Sequence, residues 1–456
     1  MNSLTQNYQN FKSYQKFHFV GIGGVSMSAL ALILKGMGKT VTGSDTNDSE
    51  VIKKLKNAGI TVSIGHNAEN VKGCEILIYT AAISDNNPEL VYAKQNGIPI
   101  IERAVLLGKM MSAFTNSIAV AGTHGKTTTT SMLSTVFLKA AKDPTVLVGA
   151  RLNAIGGNYR VGRSDYAVYE ACEYVNSYLH FYPDTAVILN IDADHLDFFK
   201  DIDAIKESFL KFTSNISDNG RLIINGDDTN CQFVINNYKG NIITFGLNKN
   251  NTCFADNITL KSGRPSFDVY YNGEFLVHIN LSVFGNHNIL NALAVCCAAK
   301  AYNINAEFIK AGLEEFTGAD RRFQVRCEYK GVPIIDDYAH HPTEISATIN
   351  AAKNAGFKKI TVVFQPHTYT RTFKLMDQFA NALSDADRVI LTDIYSAREI
   401  NTIGVNILDL KNKLPNSIYI SDFDQIAKHI KDTIQQGEVV ILMGAGNVNS
   451  IAKKFK

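Results

Sequence analysis

Ser117-Ile-Ala-Val-Ala-Gly-Thr-His-Gly-Lys-Thr-Thr-Thr-Thr130 is the stretch on which the fold turns. An apolar run ends in a turn bounded by Gly122 and Gly125, and Lys126 with four threonines then opens a helix. Small residues let backbone N–H groups approach phosphate oxygens, and a helix N-terminus adds partial positive charge. Lys126 brings a full charge to the β/γ-phosphates of a bound polyphosphate, and the Thr127 hydroxyl is placed to reach Mg²⁺. The general G-x-x-x-x-G-K-[ST] pattern asks for glycine where Val120 stands, so this is a variant loop. The competing reading is a threonine-rich helix start, and the strand ahead of the turn argues against it.

Upstream of the loop, Phe17-His-Phe-Val20 leads into Gly21-Ile-Gly23-Gly24-Val25-Ser26, a helix-periodic run and a second strand, Thr40–Asp45. This is a βαβ opening with an acidic residue after the second strand, the outline of a dinucleotide-type fold without the third glycine. Asp45 is placed to accept ribose hydroxyls, and His66 lies in a loop within reach of a base. Strands are expected over 60–64, 75–79 and 98–101 and helices over 49–57 and 88–96, with a boundary in the polar patch Ser112–Asn116. Downstream, strands are expected over 165–170, 185–191 and 221–225, followed by a β-rich stretch near 241–283 and a helix from Gly285. From Gly318 the α/β rhythm resumes, with strands over 332–336, 360–364, 387–392, 417–420 and 438–443. The expectation is an α/β protein of three domains. These are an N-terminal Rossmann-like unit over 1–114, a central P-loop ATPase-like, mainly parallel sheet over 115–318, and a C-terminal Rossmann-like unit over 319–456.

The bulk numbers agree with several packed domains: 456 residues, 45% hydrophobic and 19% charged. A net charge of +2, with no basic cluster, gives no reason to expect a nucleic-acid partner. Seven scattered cysteines without C-x-x-C suggest reduced thiols rather than disulfides or zinc. No apolar signal segment or bilayer-length run is present, so neither membrane insertion nor export is expected, and the protein is read as cytoplasmic.

Polar side chains gather where apolar strands end. Glu170 closes one strand and Glu173 follows; Asn190, Asp192, Asp194 and His195 close another. In a parallel sheet these ends share one edge beside the phosphate loop. Carboxylate oxygens suit Mg²⁺ and an imidazole can complete the shell of a second metal, which makes Glu170 and His195 candidate metal ligands. The third segment carries Asp336-Asp337-Tyr-Ala-His340-His341-Pro342, Gln365-Pro-His367-Thr-Tyr-Thr-Arg371 and Asp393–Arg398 at equivalent places. Arg371 and Arg398 suit bidentate recognition of a carboxylate or phosphate.

These pieces, in this order, resemble the Mur ligase family from about Phe17 to Gly444-Ala-Gly-Asn447. The likeness is carried by Gly21–Met27, Gly122–Thr128, Glu170-Ala-Cys-Glu173, Asp192-Ala-Asp-His-Leu-Asp197, Gly285-Asn-His-Asn288, Asp336–Pro342 and Phe364-Gln-Pro-His367. The shortened phosphate loop is the form this family uses. The resemblance implies an ATP-dependent amide ligation in peptidoglycan precursor synthesis, with UDP-N-acetylmuramate, L-alanine and ATP as substrates and one or two Mg²⁺ ions. A sister activity, adding another amino acid or a recycled peptide to the same sugar nucleotide, is the alternative, and a homodimer is compatible with either.

The resemblance also implies roles for single residues. Gly21, Gly23, Gly24, Val25, Ser26, Asp45, His66, Thr80, Ala81 and Ala82 would bind the UDP-sugar. Gly122, Thr123, His124, Gly125, Lys126, Thr127 and Thr128 would hold the ATP phosphates. Asn286 and Asn288 would hold adenine, Arg321 or Arg322 would reach the phosphates, and Asp337 would contact ATP across a cleft. Thr127, Glu170 and His195 would be the metal-site residues. Tyr338, His340 and Arg371 would position the amino acid, and Lys126, His340 and Arg371 would be the catalytic set. The base that receives the amine proton would be His340 or a metal-bound carboxylate. Thr368 and Cys172 stand where many relatives carry a basic and an acidic residue respectively.

Overall fold

Three β-sheets follow one another along the chain, each with its functional loops on the carboxyl edge of its parallel strands. The computed structural model describes residues 13–455 apart from 81, 82, 197, 262, 263 and 398. The candidates Ala81, Ala82 and Arg398, and Asp197 of the fourth motif, therefore lie outside the described residues.

The first sheet runs Thr61–Ile64, Thr40–Asp45, Lys16–Val20, Ile76–Tyr79, Ile100–Glu102, with every pairing parallel. Strand order reverses beside Lys16–Val20, and a crevice opens outside the strand ends at such a point. Helix Val25–Gly36 starts directly after the glycine turn and buries Met27, Leu30, Ile33 and Leu34, the apolar positions at helical spacing.

In the second sheet, Asn241–Gly246, Arg221–Asn225, Thr185–Ile188, Asn116–Ala121, Tyr166–Glu170 and Thr145–Leu152 lie side by side and parallel. Strand Cys253–Lys261 continues it, and Arg264–Tyr271 and Glu274–Asn280 add antiparallel strands beyond. Asn116–Ala121 is buried on both faces: Ile118 and Val120 enter one core, Ala119 and Ala121 the other. That is why it reads as a continuous apolar run rather than an alternating one. Helix Lys126–Lys139 packs against helices His287–Ala301 and Ala306–Glu315. Its hydroxyls are tolerated inside because Thr130, Ser134 and Thr135 each donate to the carbonyl four residues back.

The third sheet runs Gln324–Tyr329, Val332–Asp337, Glu438–Met443, Lys359–Phe364, Arg388–Leu391, Ser417–Tyr419, all parallel except the first strand. Three features differ from the sequence reading. Strand Thr145–Leu152 with its hairpin partner Gly157–Arg160, and the edge strand Gln324–Tyr329, were not anticipated. The hairpin partner is mostly polar and only partly buried, so it lacks the apolar alternation that reveals a strand. The edge strand does alternate, with Val325, Cys327 and Tyr329 between polar residues, but over six residues that are all at least partly exposed. The strand expected over 185–191 stops at Ile188, and Asn190 turns to the phosphate loop instead. Among the described residues, no helix is long and apolar enough to cross a membrane.

Candidate active site

The phosphate loop takes a shape that only glycine tolerates at two points. Gly122 has φ +136° and Gly125 φ +83°, and a Cβ on Gly125 would sit 2.6 Å from Asn291 Oδ1. Asn190 clamps the loop, accepting from the His124 N–H at 2.7 Å and donating to the His124 carbonyl at 3.0 Å. Lys126 Nζ donates to the carbonyls of Gly122 (2.6 Å) and Thr123 (2.9 Å) and lies 2.9 Å from Glu173. Burial would lower the Lys126 ammonium, but Glu173 more than offsets it and holds the group well above its ordinary range. It stays a fixed cation.

The metal candidates fall into two places. Thr127 donates to Glu170 Oε1 at 3.0 Å, and the Gly149 N–H holds Glu170 Oε2 at 2.7 Å. A hydroxyl and an oriented carboxylate side by side are hard oxygen donors, and they fit Mg²⁺. His195 stands apart, with Nε2 3.7 Å from Glu173 and its ring 4.6 Å from that of Tyr174. Among the described residues, the ligand-type side chains that converge within 4.8 Å are instead His124, Asp192 and His341. Burial would lower the His124 imidazole, but Asp192 and Glu344 outweigh it and raise it to about 9. Asp192 and Glu344 flank the His124 ring at 3.1 and 3.7 Å, which makes the trio part of an ion-paired seam between the second and third sheets.

Three cavities surround this machinery. The largest, ≈ 910 Å³, is lined by His124, Gly125 and Thr128 of the loop, by Asn288, and by Arg322 and Asp337 from the third segment. Asn286 is not on its wall; it lies exposed at the start of helix His287–Ala301. Asn291 is on the wall and donates to Asn288 Oδ1 at 2.9 Å, a pairing that sequence reasoning missed. The two candidate arginines separate. Arg322 faces the cavity, 3.5 Å from Glu344. Arg321 turns away and donates to the carbonyls of Gly444 (2.6 Å) and Gly446 (3.2 Å) and to Asp336 (3.3 Å). Burial pushes the Asp337 carboxyl up to about 6, against the pull of Arg322 and of the Ala339 and Phe323 N–H groups.

The second cavity, ≈ 460 Å³, brings Tyr338, His340 and Arg371 together with His195, Asp194, His367 and Thr368. Arg371 lies 3.3 Å from Asp194, and Lys374 donates to the Leu196 carbonyl. His340 Nδ1 faces two acceptors, the Tyr338 carbonyl at 3.0 Å and Glu344 at 3.3 Å. Burial, opposed by Glu344 and aided by Arg371, lowers His340 to about 4. The ring is neutral, with its proton on Nδ1 and a lone pair at Nε2. These two cavities share a wall. Asp192 lines the first and Ala193–Leu196 the second; Asp337 lines the first and Tyr338 and His340 the second.

The third cavity, ≈ 630 Å³, lies at the strand-order reversal of the first sheet and gathers Gly21, Gly24, Asp45, His66 and Thr80 from four strand ends. Asp45 Oδ2 accepts the Gly23 N–H at 2.8 Å, where a Cβ would come equally close. Val25 is exposed on the first turn of the following helix. Ser26 receives a hydrogen bond at 3.1 Å from Arg103, a cation beside the glycine turn that sequence reasoning did not single out.

Known proteins resemble this chain in sequence and fold. Residues 16–115 match the family model described as Mur ligase family, catalytic domain; residues 120–299 match the Mur ligase middle domain, and residues 321–446 the Mur ligase, glutamate ligase domain. UDP-N-acetylmuramate–L-alanine ligase of Caldanaerobacter subterraneus subsp. tengcongensis is 47% identical over 98% of both chains. That of Clostridium novyi is 48% identical over 97% of each. Among solved structures, UDP-N-acetylmuramate-alanine ligase from Thermotoga maritima superposes with a TM-score of 0.80 at 30% identity, covering 96% of this chain and 98% of that one. A murein peptide ligase from Psychrobacter arcticus gives 0.71 at 25%, covering 96% and 97%.

Proposed function

The chain belongs to the Mur ligase family, and from that premise we propose that it joins L-alanine to the lactyl carboxylate of UDP-N-acetylmuramate at the expense of ATP, in peptidoglycan precursor synthesis. The observation that carries the reading is the shared wall. The segments Asp192–His195 and Asp337–His340 face the phosphate-loop cavity with one residue and the Arg371 cavity with the next. A group activated on one side is thus a residue's length from a nucleophile on the other.

In this reading three domains divide the work. The unit over 1–114 binds the UDP-sugar, with the diphosphate on the glycine turn near Arg103; that over 115–318 binds ATP; that over 319–456 supplies Arg322 and the amino-acid cavity. Mg²⁺, one or two ions held by Thr127 with Glu170 and by His195, would neutralise charge on the transferring phosphoryl group. Lys126 meets the same charge from the loop side. The sugar's carboxylate attacks the γ-phosphate, breaking the bond to ADP and giving an acyl phosphate. The unprotonated amine of alanine then attacks the acyl carbon, and phosphate leaves as the amide forms, taking up the proton that the nitrogen sheds. Arg371 takes the amino-acid carboxylate, and the His340 Nε2 lone pair accepts an N–H of the amine and orients it. All three cavities are built by one chain, so a homodimer is not required for chemistry, and the soluble substrates suit a cytoplasmic enzyme.

The test is ADP release across a panel of amino acids and a murein-type tripeptide, with and without UDP-N-acetylmuramate. Release should require the sugar nucleotide and be fastest with L-alanine; a preference for the tripeptide would sink the assignment. Lys126→Ala should lose about 3–4 kcal/mol of transition-state stabilisation while retaining UDP-sugar affinity.

A further inference from the structure

Beneath the third cavity, helix Pro88–Gln95 carries a glutamate to which the ligation assigns no role. Glu89 is fully buried, and donors enclose its carboxylate. Oε1 accepts from Asn70 Nδ2 at 2.6 Å and the Asn67 N–H at 3.2 Å, and Oε2 accepts from the Ser44 hydroxyl at 2.6 Å. The rings of His66 and His18 approach Oε2 to 3.4 and 3.7 Å. Burial by itself would raise this carboxyl, but His18, Ser44 and Asn70 outweigh it and lower it to about 2. The group is a buried anion, and such an anion is retained only where its surroundings are built for it.

Proton accounting fixes the His66 ring. The Ser44 proton goes to Glu89, so Ser44 Oγ, 3.0 Å from His66 Nδ1, is left as an acceptor there. Glu89 is an acceptor too. Two acceptors facing Nδ1 require that nitrogen to carry the hydrogen. The Nδ1–H tautomer of His66 has a lone pair at Nε2, which has no protein partner among the described residues, on a ring that lines the cavity with Asp45 and Thr80.

We propose that Glu89 is a positioning residue that locks His66 in its Nδ1–H form, so that Nε2 accepts the N3–H of a uracil base and selects uridine over cytidine diphosphates. This rests on the reading of the cavity as the sugar-nucleotide site. Uracil carries a proton on N3 where cytosine has a lone pair, so a bare Nε2 gains a hydrogen bond from the first and meets an unpaired acceptor in the second. His18 approaches the same Oε2 with its Nε2, its Nδ1 held on Thr42 Oγ1 at 2.8 Å.

The experiment is calorimetric titration of the full-length protein with UDP and with CDP, using ATP as a control ligand. The wild type should prefer UDP by at least about tenfold. In Glu89→Gln the amide can donate to Nδ1 and release the other tautomer, so the two affinities should come within about twofold of each other while ATP binding is unchanged. Equal binding of UDP and CDP by the wild type overturns the proposal, as does a parallel loss of both in Glu89→Gln with the ratio kept. Absence of UDP binding alongside normal ATP binding sinks instead the sugar-nucleotide reading beneath it. Should Glu89→Gln fail to fold, nitrogen-15 spectra of His66 in the wild-type UDP complex decide: an unprotonated Nε2 supports the lock, and a protonated one overturns it.

Discussion

Adjacent residues of one type can have unrelated duties, and Arg321 and Arg322 are such a pair. Arg322 reaches into the ATP-sized cavity, whereas Arg321 satisfies two carbonyls and the fully buried Asp336. Removing one partner of a buried charge pair leaves the other uncompensated, typically at about 3–5 kcal/mol. Arg321→Ala should therefore lower the melting temperature sharply. Arg322→Ala, whose contact with Glu344 is longer and more exposed, should lower the melting temperature less but reduce kcat/KM for ATP by about 10²-fold, the scale for one preorganised charge-stabilising group. Thermal melts and ATP kinetics on both variants check this, and an interchange of the two phenotypes would reverse the assignment. The sequence could not separate the two, because their direction depends on the positive φ of +62° at Arg321. Asn291 and Glu89 were illegible for a similar reason. Each looks ordinary on its own helix, an interior polar residue in one case and a first-turn acid in the other, and only burial against another segment reveals its use.

At the scale of the element, the strand–loop–helix around Gly125 combines local strain and tertiary crowding, and the two can be measured apart. Gly38 has the same φ of +83° as Gly125, but a Cβ there would meet nothing within 4 Å. Gly38→Ala should therefore cost only the backbone penalty of a non-glycine left-handed residue, about 1 kcal/mol. Gly125→Ala adds the collision with Asn291 and should cost about 2–3 kcal/mol more in urea denaturation, together with a raised KM for ATP. Equal costs at the two positions would show that the loop has room it is argued to lack. The glycine spacing and the apolar run made this element readable, since a buried parallel strand and a phosphate-type turn both leave their mark in residue type. Its clamp by Asn190 was not readable, because it depends on where a neighbouring strand stops.

At the scale of the whole molecule, the second and third sheets meet through charge. His124 lies 3.1 Å from Asp192 of its own domain and 3.7 Å from Glu344 across the seam, while Thr343 donates to Asp192 at 2.8 Å and His341 meets the Ala193 carbonyl at 3.1 Å. The imidazole is raised from its ordinary value of 6.5 to about 9, so its stabilisation is fully present below pH 6.5 and is lost as pH rises through 9. The rise corresponds to about 3 kcal/mol. Small-angle scattering of the ligand-free protein should show a growing radius of gyration between pH 6.5 and 9.5, and Glu344→Gln should flatten the change; a constant radius would show that His124 does not hold the seam. On the acid side, His340 and His367, each lowered to about 4 by burial, hold their stabilisation above pH 6.5 and lose it as pH falls through 4. By itself the sequence determined three α/β segments, the phosphate loop, and the polar side chains gathered at the strand ends. Those features are local, written in apolar periodicity and in which residues a turn can accept. Only the tertiary structure decided which arginine faces the phosphate-loop cavity, that His124 is ion-paired across the seam, and that a buried glutamate stands behind His66. Charge state and direction depend on the field and burial imposed by segments remote in the chain, which no single stretch encodes.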